Sequence, residues 1–185
     1  MVARYHLNSV TMLKLDSKHV MLAGMKKLRI TDADAFIKSI RSINNRVTIQ
    51  AIDANFTAGK EHILSVLQQS MQAKKRGIML SKRIEIDILL RLACTNQISK
   101  ALEDVGLKDG INNVLVIAIG KFSDLRTVQK YLAKNCKLSN DVLKLSEKKM
   151  KLLSLHHKIG REEINACIND NRLASVLAER ANLLW

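Results

Sequence analysis

The segments DANFTAGKEH at residues 53–62 and DILLRLACTNQI at residues 87–98 decide the fold, because each introduces or forms a strongly apolar helix. The first follows a β-branched run at 47–52 that predicts a strand, and it leads through a turn into a helix broken at Gly77. The second lies in the run 84–93, which is apolar nearly all round. A helix of that kind is buried on several sides, so we expect it at the centre of the core.

The flanking sequence predicts a few strands and many helices. Strand-like runs occur at 2–7, 10–15, 19–30 and 114–119, and the first three predict antiparallel pairing. Apolar residues at helical spacing predict helices after Asp32, at 98–105 with Gly106 as C-terminal cap, after a cap at Ser123-Asp124, and at 145–155, 162–168 and 173–184.

This arrangement indicates an α+β fold, since strands and helices do not alternate regularly. We expect a small, mainly antiparallel or mixed sheet packed with many helices, and a helix-rich C-terminal half. The chain has 185 residues, no proline and only seven glycines, so it shows no linker composition. A single domain over residues 1–185 is therefore expected.

The composition favours a polyanionic partner. Lys and Arg number 31 against 17 Asp and Glu, a net charge of +14, which is typical of a nucleic-acid-binding surface or of a solvated basic surface. Cys94, Cys136 and Cys167 form no CxxC pair, which argues against a zinc site or a disulfide framework and favours a reducing compartment. With no signal-peptide pattern and no run as long as a membrane span, we expect a cytoplasmic protein without a membrane partner.

The chain lacks a catalytic signature. Ala58-Gly59-Lys60 is similar to the end of a phosphate-binding loop, but Ala54 stands where that motif needs its first glycine. Glu61 also replaces the hydroxyl residue that would hold magnesium. We therefore reject nucleotide binding at this loop and expect no enzyme activity and no cofactor.

The histidines favour structural roles. His62 follows Asp53 closely enough for an acid–base dyad, but a histidine that anchors the strand-to-helix turn is the preferred interpretation. His156 and His157 are neighbours on a helix, so their side chains point in different directions and no third ligand is spaced to join them. We interpret both as surface residues and expect no metal site.

A cluster of cations lies around the break at Gly77. It comprises Lys74, Lys75, Arg76, Lys82 and Arg83, with no acidic residue in between. Each cation can neutralise a phosphate, and binding through them would weaken steeply with salt. The alternative is a solvated helix end, where basic residues are favoured by the helix dipole.

Arg91 favours the binding interpretation, because an unpaired charge within an apolar helix is costly. One alternative is an ion pair with Asp87, four residues earlier. In the other, Arg91 opens into a groove with Thr95, Asn96 and Gln97, whose polar groups suit unstacked RNA bases. Aromatic residues make up only 3%, so a short pocket is expected rather than a long stacking platform. For residues 78–80, ordinary core packing is the preferred interpretation, and contact with a terminal base is the alternative.

The chain resembles the TPRKB-type (CGI-like) subunit of the KEOPS complex, which modifies transfer RNA. The order and spacing of the matching residues are similar to those of the family, and a strand follows at 114–120 as it does there. The residues that carry the resemblance are Asp53-Ala54, Ala58-Gly59, His62, Leu89-Leu90, Thr95, Gln97-Ile98 and Gly106.

The resemblance implies a non-catalytic subunit with two partners. Family members bind the atypical kinase/ATPase of KEOPS, and archaeal forms recruit transfer RNA by its single-stranded 3′ CCA end. Through other subunits, including the threonylcarbamoyltransferase, the complex installs threonylcarbamoyladenosine beside the anticodon. The chain departs from the family at Asn96, where arginine is common, and at Arg91, where an aromatic residue is frequent. A protein-only adaptor of the kinase is the alternative.

Overall fold

The computed structural model describes residues 4–7, 10–168 and 170–184, and its architecture is α+β as predicted. The described strands are β1 Arg4–Leu7, β2 Val10–Leu15, β3 Lys18–Ile30, β4 Thr48–Asp53 and β5 Gly110–Gly120. They form one sheet in the order β1-β2-β3-β5-β4. Every pair of neighbouring strands is antiparallel, so the antiparallel sheet is observed and not the mixed one. Residues 2 and 3 of the first expected strand lie outside the described residues.

The helices follow the apolar periodicity of the sequence. Their described bounds are α1 Ala33–Ser42, α2 Gly59–Arg76, α3 Ile84–Leu92, α4 Ile98–Val105, α5 Phe122–Asn135, α6 Glu147–His156, α7 Arg161–Ala166 and α8 Arg172–Asn182. The helix-rich C-terminal half is thereby confirmed. Among the described residues, none of these helices is long and apolar enough to cross a membrane.

The chain divides into two compact units, each built from two segments. Unit 1 comprises residues up to Ala54 together with Leu107–Val142, and it contains the sheet, α1 and α5. Unit 2 comprises Asn55–Gly106 and the residues from Leu143 onward, and it contains the other six described helices. The expectation of a single domain stays a prediction.

In unit 1, α1 and α5 cover one face of the sheet. Alternate residues of β3, including Met21 and Ala23, point to this face, because side chains on a strand alternate between its two sides. They pack with Ile40 of α1 and with Leu125 and Val128 of α5. The outer face of α5 is therefore left to solvent.

α5 begins earlier than predicted. Its N-cap is Lys121, so Ser123 and Asp124 lie inside its first turn instead of capping it. The Asp124 carboxylate instead accepts a hydrogen bond from Asn44 Nδ2 at 3.2 Å. Asp124 is a residue type that often caps helices, but its carboxylate is hydrogen-bonded to Asn44, 80 positions away in the sequence.

In unit 2, α3 lies against α2, α4 and α8, as its apolar sequence predicted. Of its nine residues, only Ile86 is not buried. α2 ends where Gly77 adopts a left-handed conformation, with φ of 71°, and the Gly77 N–H donates to Lys74 and Ala73 carbonyls of the last turn. Glycine suits this position because a residue with a side chain is strained at positive φ.

Gly106 ends α4 in a different way from the left-handed cap that glycine usually provides. Its backbone is extended, with φ of −67°, and its N–H donates to the Leu102 carbonyl at 3.1 Å. A Cβ at Gly106 would collide with that carbonyl oxygen. Close approach, rather than positive φ, is therefore the reason for glycine.

Gly106→Ala is expected to destabilise the protein by about 1–2 kcal/mol, because the added methyl group has to push the end of α4 away. Chemical denaturation of both proteins measures this loss. Gly160→Ala is the matched control, since a Cβ there meets no atom within 4 Å. Equal stability of the two variants would contradict the close-approach explanation.

Candidate nucleic-acid interface

The five cations predicted around Gly77 are brought together at one edge of unit 2. Lys74, Lys75 and Arg76 form the last turn of α2, and Lys82 and Arg83 lie just before α3. All five are exposed. We call them the basic edge. Gly77 ends α2, and the short loop after it joins the C-terminal end of α2 to the N-terminal end of α3, so the two groups lie at adjoining ends of neighbouring helices.

A buried carboxylate fixes the loop of the basic edge. Asp87 is fully buried, and one of its oxygens accepts the Leu80 N–H at 2.7 Å. Its other oxygen accepts Arg91 Nε at 2.9 Å. Arg91 Nη1 donates in turn to the Ala181 carbonyl of α8 at 3.0 Å. The loop, α3 and α8 are thus tied together through one ion pair.

Of the two alternatives for Arg91, the structure shows the pair with Asp87. The Arg91 side chain is 1% exposed, so its guanidinium does not open into a groove and is not available to a ligand. This corrects its placement among the RNA-binding residues. Arg91 contacts the loop only through Asp87, which accepts hydrogen bonds from both.

Arg83 is partly neutralised, which the sequence pattern did not indicate. Its guanidinium forms an ion pair with Glu85, and Arg83 Nε donates to the Glu85 carboxylate at 2.6 Å. Glu85 follows the basic run by two residues, and only the turn into α3 brings its side chain back. Lys74, Arg76 and Lys82 have no ion-pair partner within the described part of the chain, so they dominate the positive charge of the edge.

Thr95, Asn96 and Gln97 do not join the basic edge. They lie at the C-terminal end of α3, whereas Arg83 lies at its N-terminal end, and a nine-residue helix is about 13 Å long. Asn96 and Gln97 are exposed, and Thr95 Oγ1 accepts the Gln97 N–H at 3.3 Å. The basic edge and residues 95–97 are therefore two separate patches.

An exposed apolar side chain lies within the basic edge. Ile78 is 40% exposed, while Met79 and Leu80 are half-buried. The loop therefore offers apolar surface beside at least three cations. A charged phosphate and the flat face of a base can both be accommodated by such a surface.

His62 has the structural role that the sequence favoured. Its side chain is fully buried, and its Nδ1 accepts the Ala58 N–H at 3.3 Å, which fixes the turn before α2. Burial, aided by the positive charges of His157 and Lys149, lowers the pKa of His62 to about 3. A neutral imidazole without access to solvent cannot meet a substrate.

The prediction that His156 and His157 lie at the surface is wrong. Both are half-buried, because they fold back onto unit 2 at the end of α6. His156 Nε2 lies 3.5 Å from an Asp104 oxygen, and its ring packs edge-on against Phe56. Within the described residues, no group of three or more His, Cys, Asp or Glu side chains is arranged to hold a metal ion.

Asp87 has a second role that its spacing from Arg91 does not indicate. The four-residue spacing predicts only an ion pair with Arg91, whereas the Asp87 carboxylate also accepts the Leu80 N–H in the loop of the basic edge. The available signal was a carboxylate in an apolar helix, whose burial requires several hydrogen-bond donors.

Comparison with known proteins places the chain in a family. Residues 28–179 match the family described as kinase binding protein CGI-121. A relative named regulatory protein Cgi121, from Methanocaldococcus jannaschii, is 30% identical over 131 residues, which cover 66% of this chain and 83% of that protein.

A second relative, from Yarrowia lipolytica, is named EKC/KEOPS complex subunit CGI121. It is 23% identical over 91 residues, which cover 49% of this chain, and the match spans about half of its length, 54%. The family match covers most of the present sequence and includes the whole of the basic edge. The chain therefore belongs to the CGI-121 family of kinase binding proteins.

Proposed function

We propose that this protein is a non-catalytic subunit of a KEOPS-type complex. In this role it binds the atypical kinase/ATPase of the complex and recruits transfer RNA through the 3′ CCA end, in the cytoplasm. Through the kinase it is linked indirectly to the threonylcarbamoyltransferase subunit that forms threonylcarbamoyladenosine. The observation that carries the proposal is the family match over residues 28–179, with a relative that is itself named a KEOPS subunit.

The RNA-binding part of the proposal rests on the basic edge. Lys74 and Arg76 are exposed on the last turn of α2, and Lys82 is exposed on the following loop, which the buried Asp87–Arg91 pair holds in place. A preorganised set of cations loses little conformational entropy on binding, which favours affinity. Exposed Ile78 gives this site an apolar surface for a terminal base.

A site of this size fits a chain end better than a duplex. The edge consists of one helix end and one short loop, so only a few phosphates can be neutralised at once. Asn96 and Gln97 form a second exposed polar patch about the length of α3 away. They remain proposed contacts to bases or sugar hydroxyls, together with Thr95.

Lys74→Glu with Lys82→Glu is expected to reduce the affinity for intact transfer RNA by at least about tenfold at low salt, because two phosphate contacts become repulsive. The slope of log affinity against log salt should become shallower by about 1.5. Filter binding or fluorescence anisotropy at several salt concentrations measures both, with intact and CCA-trimmed transfer RNA.

The control is Lys148→Glu with Lys151→Glu on α6, which makes the same change in net charge at two exposed positions of unit 2. This pair should bind like the wild type. Wild-type binding should weaken when the CCA end is removed, and the Lys74, Lys82 variant should no longer distinguish the two RNAs. An identical loss in both double variants would show that net charge, not the basic edge, governs binding.

A protein-only adaptor is the second candidate, and two observations favour it. Arg91 is buried and Arg83 is paired with Glu85, so fewer cations are open to RNA than the sequence indicated. Capture of the kinase by this protein, with no measurable affinity for transfer RNA even at low salt, would establish this candidate instead.

A further inference from the structure

The outer face of α5, in unit 1, carries a line of cations. Arg126, Lys130 and Lys134 are spaced four residues apart, so they lie along one side of the helix at intervals of about 6 Å. Lys130 and Lys134 are exposed and Arg126 is half-buried. Lys137 continues the charge just beyond the helix end and is also exposed. We call these four residues the α5 stripe.

The stripe is not neutralised within the described part of the chain. None of its four cations is in an ion pair or a side-chain hydrogen bond there. The only carboxylate of α5 belongs to Asp124, which accepts a hydrogen bond from Asn44. Arg83 of the basic edge, by contrast, is paired with Glu85.

This arrangement costs stability. Like charges at four-residue spacing on a helix destabilise it by about 0.2–0.5 kcal/mol per pair, and the stripe contains two such pairs within α5. Acidic residues at this spacing would form ion pairs with the cations, as Asp104 does with Lys100 on α4. A ligand of opposite charge would do the same when bound.

Exposed aromatic rings flank the stripe. Phe122, at the start of α5, is 38% exposed, and Tyr131 is 42% exposed. At 100° per residue, the three helical cations fall in the sector between these two rings. The two rings are nine residues and therefore about 180° apart around the helix, so they border the exposed half of α5 on opposite sides. Phe122 also packs edge-on against His19, with ring centroids 5.5 Å apart, so Tyr131 is the ring considered for stacking on a base. Cations that follow a backbone beside rings that stack bases are typical of single-stranded nucleic-acid binding.

We propose that the α5 stripe, with Tyr131, is a second RNA-binding surface that takes an unpaired RNA segment. The cations contact successive phosphates and the exposed Tyr131 ring stacks on a base. An acidic protein surface would use the charges alone, whereas an unpaired RNA segment uses both the charges and the ring. The inference rests on the RNA-binding part of the proposed function, and it assigns contacts outside the CCA end.

The test compares two triple variants by their binding to an unstructured RNA oligonucleotide and to CCA-trimmed transfer RNA. Arg126→Glu, Lys130→Glu and Lys134→Glu together should weaken both by at least about tenfold at low salt and reduce the salt slope by about 2. The control is Lys14→Glu, Lys18→Glu and Lys38→Glu, exposed cations of unit 1 with the same total charge change. It should bind like the wild type.

Stacking is tested separately with Tyr131→Ala. Affinity for the unstructured oligonucleotide should fall by about fivefold to tenfold, whereas the salt slope and the affinity for a fully paired RNA hairpin stem should not change. Tyr131→Phe keeps the ring and should restore binding. Equal losses on single-stranded and paired RNA, or no rescue by phenylalanine, would overturn the stacking assignment.

The outcomes separate this inference from the proposed function. If the Lys74, Lys82 variant loses recognition of the CCA end while the α5 triple variant binds like its control, only the α5 inference fails. If the wild type binds no RNA at all, both RNA proposals fail, and kinase capture alone then tests the remaining function. Binding of an acidic peptide but not of RNA by the α5 stripe would also overturn the inference.

Discussion

Arg91→Ala is expected to lower the free energy of unfolding by about 3–5 kcal/mol, because it leaves the buried Asp87 carboxylate without its cation. The Ala181 carbonyl on α8 loses its donor in the same variant. Few single substitutions at the surface have effects of this size. Urea denaturation of the wild type and the variant, with a common m-value, measures the difference.

A double variant separates the effect of the ion pair on stability from the effect of the volume that the two side chains fill. Asp87→Asn with Arg91→Met keeps an oxygen for the Leu80 N–H, removes both charges and fills most of the space. It should be clearly more stable than Arg91→Ala, since an uncompensated buried charge costs more than an absent pair. A loss below about 1 kcal/mol in Arg91→Ala would show that the pair does not hold unit 2 together.

Sequence periodicity predicted the fold well where local physics decides it. The strand-like runs of β2 and β3, the Asp32 cap of α1 and the apolar surface of α3 can each be interpreted from neighbouring residues alone. The start of α5 was misplaced because Asp124 has a distant partner, Asn44. Division into two units was also not visible, since each unit is assembled from two separate stretches of the chain.

The candidate site was harder to predict, because it depends on distances across the fold. Clustering of Lys74 with Lys82 followed from the short loop between α2 and α3. The burial of Arg91 could not be predicted in this way, since both alternatives place Arg91 on the same helix. Its second partner, the Ala181 carbonyl of α8, lies 90 residues away in the sequence. Arg83 and Thr95 are separated by the length of α3, about 13 Å, because they lie at opposite ends of this nine-residue helix.

The exposed face of α5 shows a similar limit. Its cations contribute to the net charge, but they form no continuous basic run in the sequence, since they are spaced by four residues. Only the packing of Leu125, Val128 and Leu132 against the sheet shows which side of α5 faces solvent. Helical spacing of charge is as informative as helical spacing of apolar residues once that side is known.

Acid is expected to destabilise the protein through His62. Burial holds the His62 pKa at about 3, below the value of about 6.5 in an unfolded chain, so the folded state stays neutral while the unfolded state takes up a proton. Because the unfolded state binds more protons, stability rises with pH and is lost as pH falls below about 6.5. By pH 4 the loss from His62 is about 3 kcal/mol.

His157 also lowers the free energy of unfolding as the pH falls. Its pKa is lowered to about 4 by burial and by the charges of His156 and Arg180, against an opposing effect of Asp104. His62→Gln isolates the contribution of His62, because a glutamine oxygen can accept the Ala58 N–H without titrating. Urea denaturation between pH 7.5 and 4 should give this variant a slope shallower by about one proton, or about 1.4 kcal/mol per pH unit. Equal slopes in the two proteins would mean that His62 takes up a proton in the folded state, and the buried turn before α2 would then have to open to water.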